Sequence, residues 1–179
     1  MDIEIMPYQS SWEMEFLEIG RRIREALSDA AVRIYHIGST SVEGLAAKPI
    51  IDIQVSVRSW DNFEHLIRQF NSIGYVHRAD NSDKTKRYFR EAPGGKRTHI
   101  HVREWGSWAE QFPLLFRDYL RCHTDECELY AAVKYELMKK FQKDRHGYVD
   151  AKEPIIWDIM RRASSWSQEV GWRAGETDV

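Results

Sequence analysis

The chain has 179 residues, enough for one domain with a substantial core. Its 42% apolar and 30% charged residues are those of an ordinary globular protein and exclude a disordered or fibrous chain. A formal charge of −2 argues against non-specific nucleic-acid binding, which needs a basic stripe to displace counterions, but leaves room for a local pocket holding one small phosphorylated ligand.

No run approaches the roughly 20 apolar residues of a membrane helix. The start, Met1-Asp2-Ile3-Glu4, lacks the basic and apolar segments of a secretory leader. Cys122 and Cys127 stand apart without a Cys-x-x-Cys, which argues against a disulfide framework or zinc knuckle. The expectation is a cytoplasmic protein with no membrane partner.

Ser10-Ser11-Trp12-Glu13 has the spacing of a capping box, and Trp12, Phe16, Ile19, Ile23 and Leu27 recur at steps of three or four. This predicts an amphipathic helix of about 17 residues. Val32–Ile37 reads as a strand broken by Gly38-Ser39-Thr40-Ser41, and Pro49–Val57 as a buried strand with polar side chains on one face. Asp61–Ile73 is a predicted helix with Gly74 as its terminator. Arg87–Glu91 and Lys96–Glu104 read as a hairpin around Pro93-Gly94-Gly95. Helices are expected over Leu114–Cys122, Asp125–Lys143 and Ala151–Trp166, with 167–179 a flexible tail that frays from Gly171 onward. The succession predicts a single α+β domain over 1–179, a mixed sheet backed by helices and not a doubly wound one.

A strand ending in Gly38-Ser39 can turn backbone N–H groups toward a phosphate, because glycine tolerates the φ this needs and the serine hydroxyl adds a donor. A short helix starting near Ser41 would point its N-terminus the same way. Strand alternation puts Asp52 and Gln54 on one face, where a carboxylate can hold a divalent metal that bridges phosphates. The plainer alternative is a strand–turn–strand in which Asp52 caps a loop.

The order of His36-Ile37-Gly38-Ser39-Thr40-Ser41-Val42, Gly44-Leu45-Ala46-Ala47-Lys48-Pro49-Ile50-Ile51-Asp52-Ile53, Thr98-His99-Ile100-His101-Val102 and Phe116-Arg117-Asp118-Tyr119-Leu120-Arg121 resembles the GrpB family. Leu66 with Gly74-Tyr75, Tyr130 with Lys134, and Tyr148 with Ala151-Lys152 extend the resemblance over nearly the whole chain. It implies a nucleotidyltransferase-like fold of the polymerase-beta type, with the C-terminal helices completing a cleft. In that superfamily Gly-Ser precedes two acids flanking one apolar residue, and a third acid lies on a later strand. Gly38, Ser39 and Asp52 match. Gln54 departs from the pattern, and the later strand offers His99 and His101, two apart on one face.

The resemblance therefore implies a nucleoside triphosphate or other small phosphorylated ligand bound with Mg2+, or with Mn2+ or another divalent metal. Asp52 is the expected metal ligand, with His99 and His101 as candidates for a softer ion; the alternative for His36, His99 and His101 is hydrogen bonding within the sheet. Lys48 and Asp52 are the candidate catalytic pair. Gly38, Ser39, Thr40, Lys134, Lys152, Arg117 and Arg121 are the candidate phosphate contacts, with Arg87 and Arg90 secondary to them. The Tyr-x-x-x-Lys pairs put each lysine on the same helix face as a ring, although most such lysines belong to solvated faces. Three readings stand: a nucleotidyltransferase, a catalytically degenerate nucleotide-binding module, and a His/Asp metal-dependent hydrolase.

Overall fold

The computed structural model describes residues 2–179, Met1 lying outside them. The first apolar stripe forms α1 (Ser11–Leu27), burying Trp12, Phe16, Ile19, Ile23 and Leu27. The capping box does not form, because Ser10 itself is helical and makes no side-chain cap bond. Five strands follow: β1 (Arg33–Ile37), β2 (Ile51–Val57), β3 (Tyr75–His77), β4 (Arg87–Glu91) and β5 (Thr98–Glu104). They form one mixed sheet in the order β1-β2-β5-β4-β3, with β2 and β5 parallel and the other pairs antiparallel.

One sheet face carries Ile34, Ile51, Ile53, Val55, Phe89, Ile100 and Val102, which pack against α1 and α2 (Phe63–Ser72) as the main core. The opposite face is covered at β1 and β2 by α3 (Trp108–Cys122), with Tyr35, Ile37 and Leu114 in contact. Helices α4 (Thr124–Lys140) and α5 (Arg145–Val170) pack with α3 on the segment from Val42 to Ala46. The chain is thus α+β, with three C-terminal helices walling one end of the sheet. Among the described residues no helix is long and apolar enough to cross a membrane.

Helix α4 ends at Lys140, three residues before its expected end, and four other features differ from expectation. The three-residue β3 was not foreseen, being too short to show alternation. Helix α3 starts at Trp108, where Ser107 Oγ accepts from Glu110 N at 3.2 Å, and it carries Pro113 in its second turn. Helix α5 starts at Arg145, capped by Asp144 on Gly147 N, and ends at Gly171, which takes the left-handed conformation.

The fourth difference is the tail. Residues 167–170 belong to α5, and 175–179 run along the outer edge of β1. Asp178 N donates to Ile34 O at 2.9 Å, Ile34 N donates to Thr177 Oγ1 at 2.9 Å, and His36 N donates to Asp178 Oδ2 at 2.9 Å. An edge strand presents unpaired backbone groups, and this segment satisfies them.

Candidate functional site

Parity along β2 and β5 assembles the site. Asp52 lies beside His99 and Gln54 beside His101 across the parallel pair. Asp52 Oδ1 is 3.1 Å from His99 Nδ1 and 3.3 Å from His101 Nε2, and its side chain is 28% exposed. On the other side Ile37 pairs with Asp52, so the chain leaves β1 at Gly38 directly against the carboxylate. Gly38 has φ 72°, and a Cβ there would sit 2.8 Å from Asp52 Oδ2. Glycine is required twice over, for the backbone conformation and for the close approach. A short 3-10 turn then runs from Ser39 to Ser41.

Burial alone would raise the Asp52 pKa, but hydrogen bonds from His101 and His99 hold the carboxyl well below the usual carboxylate range. Burial pulls His101 down to about 4 against the opposing pull of Asp52. An ionised carboxylate beside a neutral imidazole is the form in which these groups ligate metal. Two ligands each about 2.1 Å from one ion stand roughly 3.0–3.4 Å apart at octahedral to tetrahedral angles, which the two Asp52–His distances match. The three donor atoms lie within 4.8 Å of one another. Each ring meets Asp52 through one nitrogen, His99 Nδ1 and His101 Nε2, while the other, His99 Nε2 and His101 Nδ1, is buried without a protein partner. One oxygen and two imidazoles suit Mn2+, Fe2+ or Zn2+ better than the expected Mg2+, which prefers oxygen ligands.

Cations gather around this centre. Lys48 Nζ lies 3.9 Å and Lys152 Nζ 5.5 Å from the centroid of the Tyr148 ring. Burial, with the charges of Lys152, Arg145 and Arg97, lowers Lys48 to about 8. Lys134 reaches Ser39 Oγ at 3.1 Å from behind the turn. Lys48, Lys86, Tyr88 and Tyr130 all lie within electrostatic reach of Asp52.

Other expected contacts are turned elsewhere. Thr40 Oγ1 is buried between His36 Nε2 at 3.0 Å and Ile50 O at 3.3 Å, so its hydroxyl does not face a phosphate. Arg117 is buried on α3 and bonds His36 O, Asp118 and Asp178, a tie between helix, strand and tail. Arg121 donates twice to Ser41 O and lines a cavity of about 660 Å³ behind the turn, walled also by Phe16, His36 and Glu43 but not by Asp52. Arg87 stacks over Trp60 at 4.5 Å on the opposite sheet face, and Arg90 pairs with Glu91.

Gln54 shares the face of Asp52 but does not open on the cleft. It is fully buried under α3, where Nε2 donates to Glu110 O at 3.0 Å. The Glu110 carboxylate takes Ser56 Oγ and Gly106 N beside it. Tyr88, the register partner of His101, was overlooked; its ring lies 5.6 Å from His99 and 5.3 Å from His101. Hairpin parity alone would have placed it there.

The family model described as GrpB protein matches residues 2–162. A UPF0157 protein of Streptomyces coelicolor is 39% identical over 165 residues, covering 92% of this chain and 86% of that protein. UPF0157 protein YqkA of Bacillus subtilis is 35% identical over 167 residues, covering 93% of this chain but 48% of the relative, so the chain spans about half that protein's length. The crystal structure of conserved protein GrpB from Enterococcus faecalis aligns with a TM-score of 0.83 at 30% identity, over 91% of this chain and 99% of the other. A cytoplasmic RNA terminal U-transferase aligns with a TM-score of 0.52 at 16% identity, over 72% of this chain and 42% of the other, a likeness of fold alone.

Proposed function

The chain belongs to the GrpB family, and from that premise we propose that it is a nucleotidyltransferase-like protein. It binds a nucleoside triphosphate, or a similar small phosphorylated ligand, across the turn at Gly38 and Ser39, with one divalent metal on Asp52, His99 and His101. The observation that carries this reading is the Asp52 carboxylate, which lies against the two imidazoles and so close to Gly38 that a Cβ there would meet it.

The first amides of a 3-10 turn have no partner within the turn, and after a glycine of positive φ they can open toward an anion. A bound metal would neutralise phosphate oxygens held there. Lys48 and Lys152 flank Tyr148 where they meet the remaining negative charge, and Lys48, at about 8, is still largely cationic at neutral pH. These cations converge on one centre in a chain of formal charge −2, which favours a compact ligand over a nucleic-acid backbone.

Gln54 favours a second reading. Sealed beneath α3, it offers no ligand to a second metal. A module that holds nucleotide with one metal and turns it over slowly or not at all fits that position.

Thermal shift with triphosphates and Mn2+, Zn2+ or Mg2+ tests the binding. A ligand at about 100 times its Kd adds ~2.7 kcal/mol and raises Tm by roughly 5–10 °C in a chain of this size. The reading expects the shift to need triphosphate and metal together and to vanish in Asp52→Asn. No shift with any pair, or an equal shift in Asp52→Asn, sinks it.

A further inference from the structure

Lys134 is only 2% exposed, and among the described residues no carboxylate pairs with it. Its Nζ bonds Ser39 Oγ at 3.1 Å and the Ala46 carbonyl, and stands 4.4 Å from the Tyr130 ring centroid. A lysine that keeps its charge here gives up hydration without gaining a counter-ion. The groups around it are Tyr130 and Cys127 on its own helix, Lys152 on α5, and Ser39 in the turn. Burial, then Lys152, pulls it down to about 7, so near neutrality much of it is an amine with a free lone pair.

That lone pair has one hydroxyl in direct reach, Ser39. The Tyr130 hydroxyl engages the same serine, and burial keeps the phenol protonated. Ser39 follows Gly38, where a Cβ would collide with the Asp52 carboxylate, so the turn passes close beside it. The serine oxygen is thus backed by an amine at the edge of the metal and phosphate centre. A surface-type lysine that merely balanced charge would not be withdrawn from solvent in this way.

We propose that Ser39 is a nucleophile, with Lys134 as its base, and that it takes the nucleotidyl group of a nucleoside triphosphate. This rests on the reading that such a ligand binds at the turn. Ser39 Oγ forms a bond to the α-phosphorus, and the hydroxyl proton passes to Lys134 Nζ. The bond from the α-phosphorus to the oxygen bridging the β-phosphate breaks, and pyrophosphate leaves with that electron pair. The product is a serine phosphodiester, and no redox change occurs. In the second step the oxygen of an acceptor hydroxyl or water bonds the α-phosphorus and gives its proton to solvent, while the bond to Ser39 Oγ breaks and the Lys134 ammonium protonates the leaving serine.

The test incubates the protein with α-labelled ATP, GTP, CTP or UTP and Mn2+, and follows label by intact mass and peptide sequencing. The expected result is one nucleotidyl adduct on the peptide containing Ser39, absent in Ser39→Ala. Labelling should fall at least ~100-fold in Lys134→Met, the scale of a lost general base. Lys134→Arg should not rescue it, because a guanidinium stays protonated, and the native rate should rise through about pH 7. Thermal shift on Ser39→Ala and Lys134→Met reports whether each variant folds and binds triphosphate. Triphosphate-dependent stabilisation of the native protein without an adduct, or label that persists in Ser39→Ala, overturns the nucleophile and leaves the binding site standing. No stabilisation and no adduct removes both.

Discussion

Replacing Lys134 by methionine should stabilise the protein in mild acid and weaken it in alkali. The lysine falls from 10.5 to about 7 on folding. At 1.36 kcal/mol per unit this is a cost of up to about 5 kcal/mol for the charged form. Below about pH 7 the lysine is protonated in both states and the whole cost is present. Between about 7 and 10.5 the unfolded chain binds more protons than the folded one, so native stability rises with pH across that window. Methionine keeps the stem packed and removes the charge, but it forfeits the bonds to Ser39 Oγ and Ala46 O, worth ~1–3 kcal/mol together. The variant should therefore be roughly 2–4 kcal/mol more stable near pH 6 and about 0–2 kcal/mol less stable near pH 10, where some of the cost remains. Urea unfolding followed by tryptophan fluorescence, with unchanged slopes, reads the difference directly. Groups common to both proteins cancel. A stability difference that does not change with pH would refute the buried amine.

Gly38→Ala should cost about 1–3 kcal/mol and weaken Mn2+ binding, because its Cβ would meet Asp52 Oδ2. Gly44→Ala, also at positive φ but with nothing within 4 Å, is the control, and Mn2+ calorimetry should separate the two. Gln54→Asp should lose about 2–4 kcal/mol in denaturant melts, since it aims a buried carboxylate at the Glu110 carbonyl, and should not gain Mn2+ affinity. A gain at unchanged stability would show that position 54 opens on the cleft. Arg117→Met should cost about 3 kcal/mol and speed amide exchange at 34–36 and 177–179 by freeing Asp178. Unchanged exchange there would mean that the backbone bonds alone hold the tail.

Periodicity made much of the fold legible. The step of three and four from Trp12 to Leu27 gave α1, and strand parity placed Asp52, His99 and His101 on one face, where they cluster. Neither depends on tertiary detail, because strand alternation fixes which side chains share a face. What stayed hidden was set by partners distant in sequence. An i,i+4 spacing shows that Arg117 and Arg121 share a helix face, but not that this face meets β1, the tail and the back of the turn. The polarity of Gln54 suggested a cleft; only the arrival of α3 at Glu110 explains it as a sealed amide. The tail looked disordered because its short polar run has no apolar stripe, yet the open edge of β1 gives its backbone a place to bind.

The central claim is tested most directly by diffraction from crystals grown with Mn2+ and a non-hydrolysable triphosphate, collected at the manganese absorption edge. The account predicts one anomalous peak bonded to Asp52 Oδ1, His99 Nδ1 and His101 Nε2 at about 2.0–2.3 Å, with triphosphate density over Gly38 and Ser39. A metal bound elsewhere, or triphosphate seated in the cavity behind Thr40 with Asp52 still closed on its two histidines, would contradict it.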